Sequence, residues 1–253
     1  MSAALEILER FAQEQASTND VMRVLASHPA YFVPAAFAPE LGRELFDRLV
    51  AMSESGGPPA GELYAFTDES CLRLLADRQV GRYLGPVSGM ELFCAAEKLP
   101  LAKLKVNPGG PVAHFWFIGG EALPLAALWA RAMRLESVLA ELPSPPTALN
   151  EGLLSALREF SAYTVLMHPT EDWVATENGV GGFKHSAMVF TAPDCSERAQ
   201  ASRPGLREVI LGGGQLFEFL SKANMDGIVF NPMGPGPRVS FPASLALSAM
   251  KSP

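Results

Sequence analysis

Hydrophobic residues follow two patterns along the chain. Apolar positions three and four residues apart predict helices, and short apolar or alternating runs predict strands. The predicted helices cover residues 4–11, 20–26, 69–76, 90–97, 122–139, 151–160, 194–199 and 215–222. The predicted strands cover residues 31–34, 63–67, 81–87, 102–106, 163–167, 187–191, 206–211 and 227–230. Strands that alternate with short flanking helices indicate an α/β (α+β) protein with mixed sheets.

The chain also contains an internal repeat with a constant spacing. The dipeptide Phe-Thr at Phe66 recurs at Phe190, and Asn-Pro at Asn107 recurs at Asn231, in each case 124 positions later. Placing the 52 residues from Phe66 onward on their counterparts without a gap gives 13 identities. About 3 identities are expected from average residue usage. We therefore predict two similar modules related by a pseudo-twofold internal duplication.

A proline-rich stretch marks the expected division between the modules. Residues 141–147, ELPSPPT, include consecutive prolines, which interrupt both helices and strand ladders. Module 1 is then expected over residues 1–140 and module 2 over residues 148–253. The apolar helix predicted over 122–139 is assigned to module 1 as a bridging element.

The repeated Asn-Pro loops are the first candidate binding site. Proline fixes φ and lacks an N–H, and asparagine accepts turn geometry, so both loops are predicted to be turns. They either close the same turn in each module or form the paired lips of one groove that binds a peptide or a small ligand. The residues concerned are Asn107, Pro108, Gly109 and Gly110 in the first copy and Asn231, Pro232 and Gly234 in the second.

A glycine loop is the second candidate. Gly212, Gly213 and Gly214 lie between a predicted strand and a predicted helix, where backbone N–H groups can bind an anion. The spacing of a dinucleotide-binding fingerprint is absent. A tight entry into the helix is the alternative interpretation.

The aromatic run after the first Asn-Pro loop supplies the third candidate. Strand alternation places Phe115 and Phe117 on one face and Trp116 on the other. If Trp116 faces outward, it is a candidate hot spot for a partner or a dimer. Burial under the helix over 122–139 is the alternative. The ungapped repeat alignment pairs Phe117 with Phe241.

Other reactive side chains form no recognisable catalytic or metal-binding pattern. No histidine has the spacing of a metalloprotease motif, and no serine lies in a hydrolase elbow. The histidines are His28, His114, His168 and His185. Cys71 and Cys195 share a repeat position near a predicted helix start, where either a lowered thiol pKa or simple burial is possible. We predict no metal, no cofactor and no enzymatic activity.

Charge and cysteine content narrow the class of partner. The net charge is −7 and basic residues are not clustered, so binding to nucleic acid is not expected. The three cysteines form no Cys-x-x-Cys pair, which favours a reducing cytoplasm over a disulfide framework. We find no signal peptide and no apolar stretch of the roughly 20 residues that span a membrane. The low charged fraction of 19% favours an oligomer or a partner-binding face.

The doubled motifs resemble those of the SseB protein family, named after enhanced serine sensitivity. AFTDES followed by VNPGG, and VFTAPD followed by FNPMG, match the pattern of its N-terminal domain: an apolar strand ending in Phe-Thr, a helix, and a later strand ending in Asn-Pro-Gly. The resemblance covers about two-thirds of the chain and implies two tandem copies of that domain. It implies no known reaction.

Three functional hypotheses follow. The first is a cytoplasmic, non-enzymatic SseB-like protein that acts by binding a protein partner, an effector or a second copy of itself. The second is a small-molecule sensor or enzyme with its site in the cleft between the modules, lined by the Asn-Pro loops and residues 212–214. The third is a secretion-associated scaffold or chaperone.

Overall fold

The computed structural model describes residues 2–34, 62–76, 83–98, 101–142, 150–169, 176–177, 182–223 and 225–245. It divides into two compact units, Met1–Met133 and Arg134–Pro253, called here unit 1 and unit 2. Each unit combines helices with parallel and antiparallel strands, which confirms the predicted α/β class. None of the described helices is both long enough and apolar enough to span a membrane.

Unit 1 holds four complete helices and five strands among its described residues. The helices are α1 (Ala3–Ala12), α2 (Thr18–Ser27), α3 (Glu69–Ala76) and α4 (Gly89–Glu97). The strands are β1 (Tyr31–Pro34), β2 (Glu62–Ala65), β3 (Tyr83–Val87), β4 (Lys103–Val106) and β5 (Trp116–Gly119). Short 3-10 turns cover Val112–His114 and Gly120–Ala122. The next helix, α5 (Leu123–Ala140), contains the boundary with unit 2.

The strands of unit 1 form two small sheets joined by one bridge. β4 pairs with β2 in parallel and with β5 in antiparallel orientation. β1 and β3 form a separate antiparallel pair, whose register shifts between Tyr31 and Val33. An isolated bridge between Phe32 and Phe66 links the two sheets, so the strands follow the order β3-β1-β2-β4-β5.

Unit 2 builds one larger sheet. Its helices are α6 (Glu151–Glu159), α7 (Pro193–Ser202) and α8 (Gly213–Lys222). Its strands are β6 (Tyr163–Met167), β7 (Thr176–Glu177), β8 (Ser186–Phe190), β9 (Arg207–Leu211), β10 (Gly227–Phe230) and β11 (Val239–Pro242). They pair in the order β11-β10-β8-β6-β9, with β7 also beside β8, and β8 runs parallel to β10.

Local sequence fixes where several helices begin. Ser17 caps α2 and Ser88 caps α4, and each hydroxyl accepts a hydrogen bond from a backbone N–H three residues on. The acidic residue at that third position bonds back to the serine N–H in both helices. Such a capping box satisfies N–H groups that have no partner inside the helix. The observed bounds therefore lie close to the predicted ones.

The two units bury their sheets differently. In unit 1, β2 and β4 alternate, so that Leu63, Ala65, Leu104 and Val106 are buried while the residues between them remain partly or fully exposed. In unit 2, every residue of β6, β8 and β10 is buried. Alternation is typical of a sheet covered on one face, and continuous burial is typical of a sheet covered on both.

The last strands of the units differ in register by one residue. Lys105 of β4 lies opposite Phe117. In unit 2, Phe241 lies opposite Ile228 of β10, which is the repeat counterpart of Leu104 and not of Lys105. A shift of one residue moves a side chain to the other face of a sheet. The ungapped pairing of Phe117 with Phe241 is therefore wrong, and Phe117 occupies the position of Ser240.

The two compact units divide inside α5, between Met133 and Arg134. The expected modules 1–140 and 148–253, separated by the proline-rich stretch, stay a prediction. Residues 134–140 fall in unit 2, and Glu136 among them forms hydrogen bonds with Thr191 and Asn231 of that unit. Most of the expected linker, from residue 143 onward, lies outside the described residues.

Candidate functional site

The first Asn-Pro loop is built around a buried asparagine side chain. Asn107 has a positive φ of 51° and no exposed surface. Its Oδ1 accepts a hydrogen bond from the Thr67 N–H at 2.9 Å. Its Nδ2 donates to Thr67 Oγ1 at 3.0 Å and to the backbone carbonyl of His114 at 3.2 Å. The asparagine therefore ties the end of β4 to the end of β2 and to the segment before β5.

The second loop repeats these bonds in unit 2. Asn231 has a φ of 46°, accepts from the Thr191 N–H at 3.0 Å and donates to Thr191 Oγ1 at 2.9 Å. Its remaining contact is different, because Nδ2 faces Oε1 of the buried Glu136 at 3.5 Å. The same carboxyl oxygen accepts a 2.6 Å hydrogen bond from Thr191 Oγ1. We call each set, Asn107 with Thr67 and Asn231 with Thr191, an Asn–Thr pair.

The rest of each loop closes a turn, as predicted. The N–H of Gly110 donates to the Asn107 carbonyl at 3.2 Å, and the N–H of Gly234 donates to the Asn231 carbonyl at 3.3 Å. Pro108 and Pro232 are buried, whereas Gly109 is exposed and has a φ of 79°. The two asparagine amide groups are thus engaged within the fold, and ligand binding by these loops stays a prediction.

The glycine loop at the start of α8 allows a close approach between helices. The Gly213 N–H donates to the Phe160 carbonyl at 2.9 Å, and the Gly212 N–H donates to Oε1 of Gln215 at 3.1 Å. A Cβ on Gly213 would lie 2.4 Å from the Leu157 carbonyl oxygen. Gly214 is exposed, with nothing within 4 Å of an added Cβ. Two of the N–H groups proposed for an anion therefore have acceptors inside the protein.

Gly89 of unit 1 repeats this arrangement. Its N–H donates to the His28 carbonyl at 2.8 Å, and an added Cβ would lie 2.3 Å from the Leu25 carbonyl oxygen. A tyrosine completes each contact, since Tyr31 and Tyr163 donate their hydroxyls to the carbonyls of Leu25 and Leu157 at 2.9 Å. Burial raises the pKa of both tyrosines far above the ordinary value.

Trp116 is half-buried and packs edge-on against Phe11 of α1, with ring centroids 4.6 Å apart. Its Nε1 is buried without a hydrogen-bond partner among the described residues. The residue beyond it is the more exposed aromatic, because Phe117 retains 55% of its surface. Strand alternation correctly separated Trp116 from Phe117, and the role of Trp116 as a hot spot stays a prediction.

Phe117 belongs to a surface that we call the outer face of unit 1, formed by Tyr64, Lys103, Lys105, Phe115 and Phe117. The rings of Phe115 and Phe117 lie 6.1 Å apart. The Lys103 ammonium lies 5.8 Å from the Phe117 ring centroid, and that of Lys105 lies 5.4 Å from Tyr64. Lys105 Nζ also lies 2.5 Å from Glu62 Oε2. This ion pair lowers the pKa of the Glu62 carboxyl group and raises the pKa of the Lys105 ammonium group.

The thiols and imidazoles mostly have structural partners. Burial, followed by the nearby Asp68 carboxylate, raises the pKa of the Cys71 thiol to about 11. A thiol with so high a pKa is protonated at neutral pH and is a poor nucleophile.

Two histidines of unit 1 contact groups within that unit. His28 Nε2 lies 3.0 Å from the carbonyl oxygens of Ala30 and Thr67, and His114 Nε2 lies 3.1 Å from Glu9 Oε1. Within the described ranges, no three His, Cys, Asp or Glu residues are grouped as metal ligands.

The remaining histidines lie in unit 2. His168 is half-buried and follows β6, and His185 is exposed and precedes β8. The backbone N–H groups of Lys184 and His185 donate to the Asp226 carboxylate at 2.9 and 2.8 Å. Desolvation opposes ionisation of Asp226, but these hydrogen bonds outweigh it and lower the carboxyl pKa. The arrangement fixes the loop before β8.

Comparison of the chain with models of protein families, with curated proteins and with solved structures finds no match.

Proposed function

We propose that the protein is a cytoplasmic, non-enzymatic binding protein built from two SseB-like modules, and that the outer face of unit 1 binds a protein partner. The observation that carries this proposal is the exposure of two neighbouring phenylalanines, Phe115 at 38% and Phe117 at 55%, on one sheet face. Adjacent exposed aromatic side chains are typical of protein interfaces.

The residues of the SseB-like motifs support the modular part of the proposal. The Phe-Thr and Asn-Pro dipeptides meet in the same Asn–Thr pair in both units, and the strands of both follow the same order. None of Cys71, Cys94 and Cys195 forms a disulfide in the structure, and a reducing compartment favours such thiols.

The charges on the outer face indicate what kind of segment it accepts. Lys105 forms an ion pair with Glu62, and the charge of Lys103 also acts on that carboxylate. Two lysines against one carboxylate leave one net positive charge, and the exposed Lys103 lies beside Phe117. A partner segment with an apolar side chain next to an acidic residue matches this combination. Single-stranded nucleic acid also stacks on aromatic rings beside cations, but the net charge of −7 opposes its approach.

Site-specific photo-crosslinking in cells tests the proposal. We expect p-benzoylphenylalanine in place of Phe117 to give a protein adduct that the same group in place of Leu125 does not give. Leu125 is the matched control because it is also exposed in unit 1, at 46%. The identified partner is then purified and titrated by calorimetry.

In that titration we expect Phe117→Ser to weaken binding at least tenfold, Lys103→Glu to weaken it less, and Leu125→Ser to leave it unchanged. Circular dichroism of each variant establishes that it is folded. Equal affinity for the Phe117→Ser variant and the unmodified protein, or identical adducts from both crosslinking positions, would overturn the proposal.

A further inference from the structure

β9 forms an exposed edge of the unit 2 sheet. It pairs with β6 in a continuous register of five residues, and no other described strand lies beside it. Arg207, Glu208 and Ile210 are exposed, and Ile210 retains 66% of its surface. An edge strand presents unpaired backbone N–H and C=O groups on its outer side, so a regular, partly apolar edge is a template for another strand.

The corresponding strand of unit 1 is protected against such pairing. β3 is also at an edge, but it contains Gly85 and Pro86, and its register with β1 is irregular. Proline lacks the N–H that a new strand would need, and bulges bend an edge away from a partner. β9 contains neither glycine nor proline between Arg207 and Leu211. Arg207 and Glu208 place charges at the start of β9, but its last three residues carry no such protection, so this part of the edge is open to a partner strand.

The order of charged and apolar residues along β9 favours pairing with β9 of a second copy of the protein. The charged residues Arg207 and Glu208 come first, and three apolar residues follow. In an antiparallel pair about a twofold axis at Ile210, that residue faces its own copy and Val209 faces Leu211 of the other chain. Residues that face each other across the axis lie on the same face of the joined sheet. The two Glu208 carboxylates lie at opposite ends of the strand pair, so they do not repel each other.

We propose that two copies of the protein associate by antiparallel pairing of β9 with β9, which joins their unit 2 sheets into one. The other end of the described sheet does not offer a similar edge, because Val239, Ser240 and Phe241 of β11 are buried. A twofold contact that uses the same strand from both chains closes at a dimer. This proposal is independent of the partner assigned to the outer face of unit 1.

Sedimentation equilibrium over a concentration series tests the association. We expect a species of twice the 27.1 kDa chain mass, and we expect Ile210→Lys to weaken the association at least tenfold. Ile210 is exposed, so the substitution leaves the fold of the chain intact. Leu125→Lys is the matched control and should leave the association unchanged.

Disulfide trapping tests the register. Under mild oxidation, Ile210→Cys should give a covalent dimer, whereas Glu208→Cys should give little because its predicted neighbour is Gly212. The unmodified chain controls for the three native thiols. A monomer at all concentrations, a dimer unaffected by Ile210→Lys, or a different protein bound along β9 would each overturn the proposal.

Discussion

Unit 1 and unit 2 share a strand order and an Asn–Thr pair, yet they differ in what they expose. Across the sheet of unit 1, Tyr64, Lys105 and Phe117 lie in one row and are partly or fully exposed. The row in the same place in unit 2 is Met188, Val229 and Ser240, and all three are buried. The shared residues hold the fold, so differences in function between the units are expected on these faces.

The Asn–Thr pairs differ in their third partner. In unit 1 the asparagine amide donates to a backbone carbonyl, that of His114. In unit 2 it faces the Glu136 side chain, which comes from α5. The contact in unit 1 therefore survives any substitution at position 114 that preserves the backbone, whereas the contact in unit 2 depends on one side chain.

The largest loss of stability is expected from substitutions at the helix contacts of Gly89 and Gly213, one in each unit. We expect Gly213→Ala and Gly89→Ala each to lower the free energy of unfolding by about 3 kcal/mol, because the new methyl group meets backbone oxygens that cannot rotate away. Urea denaturation measures the loss. Gly214→Ala should be neutral or slightly stabilising, and equal losses at Gly213 and Gly214 would contradict the contact.

Removal of the buried amide groups should have the next largest effect. We expect Asn231→Ala and Asn107→Ala to cost about 2–3 kcal/mol, since each leaves a threonine N–H without its acceptor. Part of the cost is strain at positive φ, which Asn231→Gly avoids. Thermal unfolding of the alanine and glycine variants separates the two contributions. The interpretation fails if both variants are as stable as the unmodified chain.

Glu136→Ala should destabilise unit 2 selectively, by about 2 kcal/mol. It removes the nearer acceptor of the Thr191 hydroxyl, at 2.6 Å, and leaves the longer 3.2 Å contact with Asn231 Oδ1. Hydrogen exchange followed by mass spectrometry resolves the effect by peptide. We expect faster exchange in β8 and β10 and unchanged exchange in β2 and β4. His114→Ala is the comparison in unit 1 and should leave β2 and β4 protected. Uniform acceleration throughout the chain would show that Glu136 has no selective role.

The smallest effect is expected at Asp68, whose carboxylate accepts the Cys71 N–H at the start of α3 at 2.9 Å. Asp68→Ala should cost about 1 kcal/mol, the usual value of a lost helix cap. It should also lower the pKa of Cys71 from about 11, since the carboxylate opposes formation of the thiolate. The pH dependence of Cys71 alkylation, read by peptide mass spectrometry, measures the shift. An unchanged or higher midpoint would exclude this charge interaction.

Lowering the pH should remove the stabilisation that the Asp68 carboxylate provides. Desolvation acts to raise the pKa of Asp68, but hydrogen bonds from the Ser70 hydroxyl and the Cys71 N–H outweigh it, so the folded pKa lies below the usual value. Its stabilising contribution is therefore present above about pH 4 and is lost as the pH falls through the folded pKa. The difference in stability between the unmodified chain and Asp68→Ala should shrink over that range.

Much of the fold could be predicted because periodicity and caps are local properties. The helix at Glu69–Ala76 and the strand at Gly227–Phe230 have the predicted bounds. The strands β5 and β11 were not included among the predicted strands, although strand alternation was applied to residues 115–117, because each follows an irregular loop that obscures where the strand begins. The role of Glu136 has no local signal, because its partners Thr191 and Asn231 are distant in sequence.

The candidate sites were harder to predict than the elements. The repeat singled out Asn107 and Asn231, but the sequence does not show that their side chains point into the fold and bond to Thr67 and Thr191. The exposure of Phe117 depends on which face of β5 packs against α1, and a period of two residues does not determine that choice.

The one-residue difference between the segments that lead to β5 and β11 has an evolutionary consequence. If the two modules descend from one ancestor, a single codon was gained or lost in this loop, and Phe117 and Ser240 then descend from the same position. A search for relatives should therefore allow a gap between the Asn-Pro loop and the last strand of each module.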